Sequence, residues 1–239
     1  MTTAPRTPAT RGGARPVVAL TATAVLLAAC SGGGDGGSDQ PPEEALAGAK
    51  RALDETSGVT LSLSAPDLPD DVDGILRAKG VATHAPAFDG DLTLVVNGLD
   101  VEVPVVSVDG VVYARLPFTS SFSEVNPADY GAPDPAGLMD PDTGLSTWLT
   151  EATGVEQGDP VRDGRTVLST YTGSLPGAVV DASIPSADAG GAFPTTFHLD
   201  QDGRLRSVEV SGPFYGATGT VDYTVDVGDY GTDQVVEKP

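Results

Sequence analysis

Apolar and polar residues alternate in short runs along most of this chain, and each run stops at Gly, Pro, Asn or Asp. That is the period-2 pattern of half-buried strands. It predicts strands over Val59–Ala65, Leu76–Thr83, Asp91–Asn97, Asp100–Val108 and Val111–Leu116. A second group covers Arg165–Tyr171, Phe193–Leu199, Arg204–Val210 and Thr218–Val227. Within the first group Leu92, Leu94 and Val96 share one side, and Val101, Val103 and Val105 lie opposite Asp100, Glu102 and Pro104. Within the second, Val221, Tyr223, Val225 and Val227 share a side. Asp109-Gly110 and Asp202-Gly203 are two-residue hairpin signals.

The period changes in four places. Pro42-Glu43-Glu44 opens a helix with Leu46, Ala49, Ala52 and Leu53 on one face, and Gly58 ends it. The early Glu pair and the later Lys50-Arg51 suit the helix dipole. Asn126–Thr153 is proline-rich; inside it Asp134–Leu138 reads as one helical turn. Asp142–Thr153 reads as a helix carrying Leu145, Trp148, Leu149 and Ala152 on one face. Pro176–Ile184 reads as a short helix. Strands joined by hairpins pair antiparallel. The expected class is therefore α+β: a strongly curved antiparallel sheet with helices gathered on one side. No internal repeat and no second-domain boundary are visible, and residues 43–239 read as one domain.

The N-terminus has a different character. Residues 1–15 contain Arg6, Arg11 and Arg15 and no acid, and Pro16–Ala29 is an apolar run ending in Leu27-Ala28-Ala29-Cys30. A basic stretch, a short apolar stretch and small residues before a cut make a secretory signal, here residues 1–29. The run falls short of the roughly 20 residues of a membrane span. Leu-Ala-Ala-Cys resembles the bacterial lipoprotein box, which implies acylation of Cys30, the only cysteine. Residues 30–42 then form the lipidated Cys and a Gly/Ser/Asp/Pro tether, which as a coil spans roughly 20 Å. Two acyl chains suffice for stable membrane attachment without a basic patch.

Charge and composition narrow the chemistry. Thirteen Lys and Arg stand against 34 Asp and Glu, a formal charge of −21. Nucleic acid is excluded as the main partner, because phosphate binding needs clustered cations. One cysteine excludes an intrachain disulfide and a Cys-based zinc site. No G-x-S-x-G elbow, phosphate loop or dinucleotide fingerprint occurs. His84 and His198 read as satisfied strand histidines rather than members of a triad. Asp70-Asp71-Val72-Asp73-Gly74 fails the EF-hand pattern, because Pro69 and Gly80 fall at its first and last ligand positions. It reads as a solvated acidic loop. No catalytic residue, metal or cofactor is expected.

The middle of the chain carries a resemblance. Val108-Asp109-Gly110-Val111-Val112-Tyr113-Ala114, Asn126-Pro127-Ala128-Asp129-Tyr130 and Leu138-Met139-Asp140-Pro141-Asp142-Thr143-Gly144-Leu145 resemble the LppX/LprG family of actinobacterial cell-envelope lipoproteins. Asp229-Tyr230-Gly231-Thr232 fits the same pattern, and the likeness runs from about Pro42 to Val236. It implies a U-shaped β half-barrel with helices over its concave side, enclosing a large apolar cavity. It also implies a non-enzymatic lipoprotein that binds acylated lipids or glycolipids and carries them across the envelope. An envelope lipid transporter is a further candidate partner, beside the membrane reached through Cys30.

Physics accommodates a carrier. Exposing a lipid tail to water costs about 0.8 kcal/mol per CH₂, on the order of 13 kcal/mol for 16 carbons. Strand parity supplies a candidate lining: Leu92, Leu94, Val96, Val101, Val103, Val105, Val112, Ala114 and Leu116, with Phe193, Phe197, Val221, Tyr223 and Val225. A one-residue register error would exchange the faces. Trp148 and Leu149 either cover the cavity mouth or anchor their helix. Two other functions compete: an accessory or scaffold lipoprotein of a transporter with a filled core, and an esterase using His84 or His198. Co-purifying lipid separates the first from the carrier; acyl-ester hydrolysis lost on His→Ala would mark the second.

Overall fold

The computed structural model describes residues 40–70, 72–130, 132–216 and 219–239. The signal segment, Cys30 and most of the tether lie outside them. Helix α1 spans Pro42–Asp54, with Pro in its first turn beside Glu43 and Glu44, and Arg51 in its last turn. Its buried stripe is Ala45, Leu46, Ala49 and Leu53, spaced as one helical face requires.

Among the described residues twelve strands follow in one antiparallel sheet. They are β1 (Gly58–Ser64), β2 (Gly74–Thr83), β3 (Ala87–Val96), β4 (Leu99–Val108), β5 (Val111–Ala114) and β6 (Ser123–Val125). The second half holds β7 (Thr153–Gln157), β8 (Val161–Asp163), β9 (Thr166–Pro176), β10 (Ala192–Leu199), β11 (Leu205–Gly212) and β12 (Val221–Gly228). Their order is β6-β5-β4-β3-β2-β1-β12-β11-β10-β9-β7, with β8 also on β9. Each half is a chain of hairpins, and β1 joins them by pairing with β12. The sheet is open, with β6 at one end and β7 and β8 at the other.

Register makes one face predominantly apolar. Leu63 lies opposite Val225 and Ala78, Leu92 opposite Ala78 and Val103, and Phe197 opposite Tyr171 and Val208. Directly opposed residues point to the same side, so these positions line a common concave face. The other face is wet: Ser62 donates to Asp226 at 3.3 Å, and Glu102 and Glu209 are exposed there. The C-terminal tail crosses this outer face. Gly231 and Thr232 donate to the Gly58 carbonyl, Gln234 donates to Asp89, and Lys238 reaches Glu124 and the Tyr113 ring.

Helices collect on the concave side. Helix α2 (Trp148–Glu151) touches α1 and β9, and helix α3 (Gly177–Ser183) touches β9 and β10. Two 3₁₀ turns, Pro135–Met139 and Leu145–Thr147, lie between the sheet and α1.

Several boundaries depart from the pattern. The helix expected over Asp142–Thr153 is only the Leu145–Thr147 turn and α2, and Thr153 begins β7. Asp140 interrupts it: its Oδ1 accepts from the N–H groups of Asp142 and Thr143, an Asx turn that competes with helix. Gly144 is held so closely that a Cβ would lie 2.5 Å from the Leu138 carbonyl oxygen. Strand β3 starts four residues before its expected onset, because Asp89-Gly90-Asp91 hides the alternation. Strands β6, β7 and β8 are short and mostly exposed, and have no apolar period to read.

Candidate functional site

Between the concave face and its cover lie two small apolar clefts. The first is walled by Leu61 and Leu63 of β1, Ile75 and Ala78 of β2, Phe88 and Leu92 of β3, and Tyr223 and Val225 of β12. Pro133, Pro135, Leu138, Leu145, Trp148 and Ile184 close it from above. The second is walled by β3, β4 and β5 through Leu92, Leu94, Val103, Val105, Val112 and Ala114, with Leu116 and Val125 beside them. Pro127, Tyr130, Ala132, Pro133 and Pro135 lie over it. Leu92, Pro133 and Pro135 belong to both and form the partition between them.

The clefts hold about 90 and about 70 Å³. Ordinary ligand pockets measure roughly 300–1,000 Å³, so neither cleft as described encloses a lipid's acyl chains. The large cavity implied by the resemblance is therefore not seen among the described residues. Prolines, leucines and Trp148 from the cover fill the concavity instead.

Of the fourteen lining candidates, the structure brings Leu92, Leu94, Val103, Val105, Val112, Ala114 and Leu116 together along the second cleft. Tyr223 and Val225 lie on the first. Val101 is only partly buried beside the second, and Val96 is exposed at the turn into β4. Phe193, Phe197 and Val221 share the right face but are sealed in the core. Phe214 packs edge-on against Phe193 with ring centroids 5.0 Å apart, and α3 covers β10. Trp148 takes both roles considered for it: its ring lines the first cleft and its Nε1 donates to Ser183 Oγ at 3.1 Å. Sequence pattern picks out Trp148 but misses the prolines of the cover, Pro133 and Pro135, since proline-rich turns carry no period. It also misses Leu61, Leu63 and Phe88, which lie on predicted strands or at their ends but were not assigned to the lining.

Polar bonds clamp the cover down. Lys50 of α1 donates to the Pro141 carbonyl at 2.7 Å and to Ser146 Oγ at 3.0 Å. Ser183 donates to the Thr143 carbonyl at 2.6 Å. Ser107 of β4 donates to Asp134, whose carboxylate also caps the first 3₁₀ turn through Ala136 N–H. The Asp140 carboxyl is held below the usual range, chiefly by the hydrogen bond from Asp142 N–H.

Within the first cleft the polar groups are few. Ile75 N–H donates to Tyr215 OH, and Tyr223 OH donates to the Ile75 carbonyl. The two hydroxyls lie 2.8 Å apart. Tyr223 uses its only hydrogen on Ile75, so Tyr215 donates between them. Burial, and next Tyr215, push the Tyr223 hydroxyl well above its ordinary pKa. Ser186 Oγ is buried at the cleft with no partner among the described residues.

The histidines lie elsewhere and apart. His84 Nε2 is 2.8 Å from the Leu53 carbonyl at the end of α1. His198 is buried on the outer side of β10, its Nδ1 3.3 Å from Thr170 Oγ1 and its Nε2 3.7 Å from Glu209. In the acidic loop Asp73 accepts from Asn97 N–H, and no metal-holding cluster occurs among the described residues. None of the described helices is long and apolar enough to cross a membrane.

The comparisons with known proteins agree with this architecture. The family model of the LppX_LprAFG lipoproteins matches residues 41–237. The lipoarabinomannan carrier protein LprG of Mycobacterium tuberculosis is 26% identical over 166 residues, covering 66% of this chain and 69% of LprG. The crystal structure of LprF from Mycobacterium bovis superposes with a TM-score of 0.68 at 15% identity, over 85% of this chain and 99% of that one. LppX from Mycobacterium tuberculosis superposes at 0.61 and 17% identity, over 84% of this chain and all of LppX. At such identities the solved structures establish the fold, an open half-barrel.

Proposed function

This chain belongs to the LppX_LprAFG lipoprotein family, and from that premise we propose that it is a membrane-anchored carrier of acylated lipids or glycolipids. Cys30 carries the anchor on the outer side of the membrane, and the domain beyond it takes the acyl chains of its cargo between the concave face and the cover. The observation that carries this reading is the pair of abutting clefts, whose walls are apolar over two halves of one sheet. LprG, a carrier of lipoarabinomannan by name, lends support through its likeness.

As described, the clefts are too small for cargo, so loading requires the cover to lift. Its clamps to α1 and α3 are polar bonds at the surface and exchangeable with water, and a third runs from the buried Ser107 of β4 to Asp134. Its contacts with the sheet are apolar and interchangeable with an acyl chain. Moving Pro133 and Pro135 off Leu92 joins the two clefts into one channel. Ser186 Oγ then offers a hydrogen-bond donor to an ester carbonyl of the cargo. The reading is non-catalytic: both histidines are engaged in hydrogen bonds and neither lines a cleft.

Cleft size favours a second reading: an accessory lipoprotein with a filled core. Trp148 separates the two, being the only tryptophan and a wall of the first cleft. Added acyl chains brominated along their length quench Trp148 fluorescence if they enter the cleft. Unchanged emission at saturating lipid supports the filled core.

A further inference from the structure

Strand β5 ends at Ala114, and the chain leaves it through an unusual turn. Thr119 N–H donates to the Leu116 carbonyl at 3.1 Å, closing a four-residue turn over Leu116-Pro117-Phe118-Thr119. Phe118 has φ +68°. Proline at the second position and positive φ at the third define a type II turn. The third position of that turn is glycine's, and a bulky residue there is an outlier. Here it holds a phenylalanine that is fully exposed to water. The turn is braced and not a loose tip: Thr119 Oγ1 also donates to the Leu116 carbonyl at 2.7 Å, and the Arg115 guanidinium lies over the Phe122 ring. The chain thus strains its backbone to hold an aromatic ring in solvent, a combination that folding alone does not favour.

The neighbourhood says what the ring is for. Arg115 N–H donates to the Pro104 carbonyl, so the chain after β5 continues antiparallel to β4 toward Leu99. Val96 and Leu99 oppose each other across the β3–β4 turn at that same end, and both are exposed, Leu99 by 68%. They extend the rows that wall the second cleft, Leu92-Leu94-Val96 on β3 and Val103-Val101-Leu99 on β4. An apolar track therefore runs from the cleft to the rim of the sheet and ends uncovered at the same end as the Phe118 turn.

We propose that this end of the sheet, with Phe118 on the turn after β5 and Leu99 and Val96 on the β3–β4 turn, docks into the surface of a lipid bilayer and sets the second cleft against the acyl region. The inference rests on the carrier reading for its purpose, though not for its geometry. A bilayer of neutral headgroups fits because the exposed track is apolar, while the charges beside Leu99 are the exposed carboxylates Asp100 and Glu102, which anionic headgroups would repel. The tether assigned to Ser31–Pro42 keeps the domain within reach of the membrane, so shallow insertion of a few side chains suffices.

The test uses the full chain, processed in an actinobacterial host and reconstituted into phosphatidylcholine vesicles, with benzoylphenylalanine in place of Phe118. Irradiation should give phospholipid adducts. The same probe at Val161, exposed on β8 at the far end of the sheet, should give none. Protein–protein adducts from position 118 would assign the rim to a second copy and overturn the proposal, as would the absence of any adduct. Phe118→Gly provides the complement. Glycine suits the turn, so the thermal midpoint should not fall, while transfer of lipid between vesicles should drop roughly tenfold, as expected for losing one inserted aromatic. Unchanged transfer would also overturn the proposal. Cargo measured on the wild-type protein reads the carrier hypothesis separately, because adducts at position 118 do not depend on a loaded cleft.

Discussion

The hydroxyls of Tyr215 and Tyr223 lie 2.8 Å apart and close a ring with the backbone of Ile75. The β1–β2 ladder runs to Ser64 opposite Arg77 and one further bond, from Ala65 N–H to the Leu76 carbonyl, so Ile75 lies past its end. The two tyrosines supply the donor and acceptor that β1 no longer offers. Tyr223→Phe leaves the Ile75 carbonyl without its donor and should lower stability by about 1–3 kcal/mol in urea unfolding. Tyr215→Phe combined with Tyr223→Phe should cost less than the two single changes added, because both break one ring.

Alkaline pH tests the same ring. Tyr223 is held above its ordinary pKa in the folded protein, while the unfolded chain ionises near the usual value of about 10. The folded state therefore binds the proton more tightly. Its contribution to stability is complete below about pH 10 and is lost as pH climbs toward the folded-state value. Tyr230, buried and donating to the Leu205 carbonyl, behaves alike. Tyrosinate absorbance from these two should rise together with the loss of far-ultraviolet dichroism and not before it.

Gly74 is where the Tyr215 ring crosses β2. A Cβ there would lie 2.4 Å from the ring. Gly74→Ala should displace Tyr215 and destabilise by about 1–3 kcal/mol, read as a lower urea midpoint at unchanged slope.

The cover hangs on Lys50. Lys50→Met removes the donors to Pro141 and Ser146 and the 2.9 Å ion pair with Asp54. Amide exchange over residues 134–148 should accelerate, with protection in β9–β12 retained. Bound lipid should leave faster than from the wild type.

Much of this was legible from residue pattern, and the failures have physical causes. Parity alone set Leu92, Leu94, Val103, Val105, Val112 and Ala114 on one face, since strand geometry fixes direction every second residue. The same parity oriented Phe193 and Phe197 correctly but did not reveal that Phe214 and α3 seal them. Cleft size depends on how deeply Pro133, Pro135 and Trp148 seat against a sheet distant in sequence, which no local period encodes. The tyrosine ring joins Ile75 to residues 140 and 148 positions away. Phe118 is recognisable only once its φ is known.

Filling the clefts tests where cargo lies. Leu92 faces both, and Val103 lies opposite it on β4. Leu92→Trp and Val103→Trp, in protein that remains folded, should each cut lipid loading severalfold. Loading equal to wild type would remove these strands from the site.

Whether this lipoprotein carries acyl lipid is decided by native mass spectrometry of the purified protein followed by solvent extraction. A carrier gives discrete added masses that dissociate on denaturation and extract as acylated lipid, distinct from any covalent mass retained at Cys30. A protein that shows only its own covalent mass, and takes up no diacyl or triacyl lipid when offered, would contradict the carrier reading.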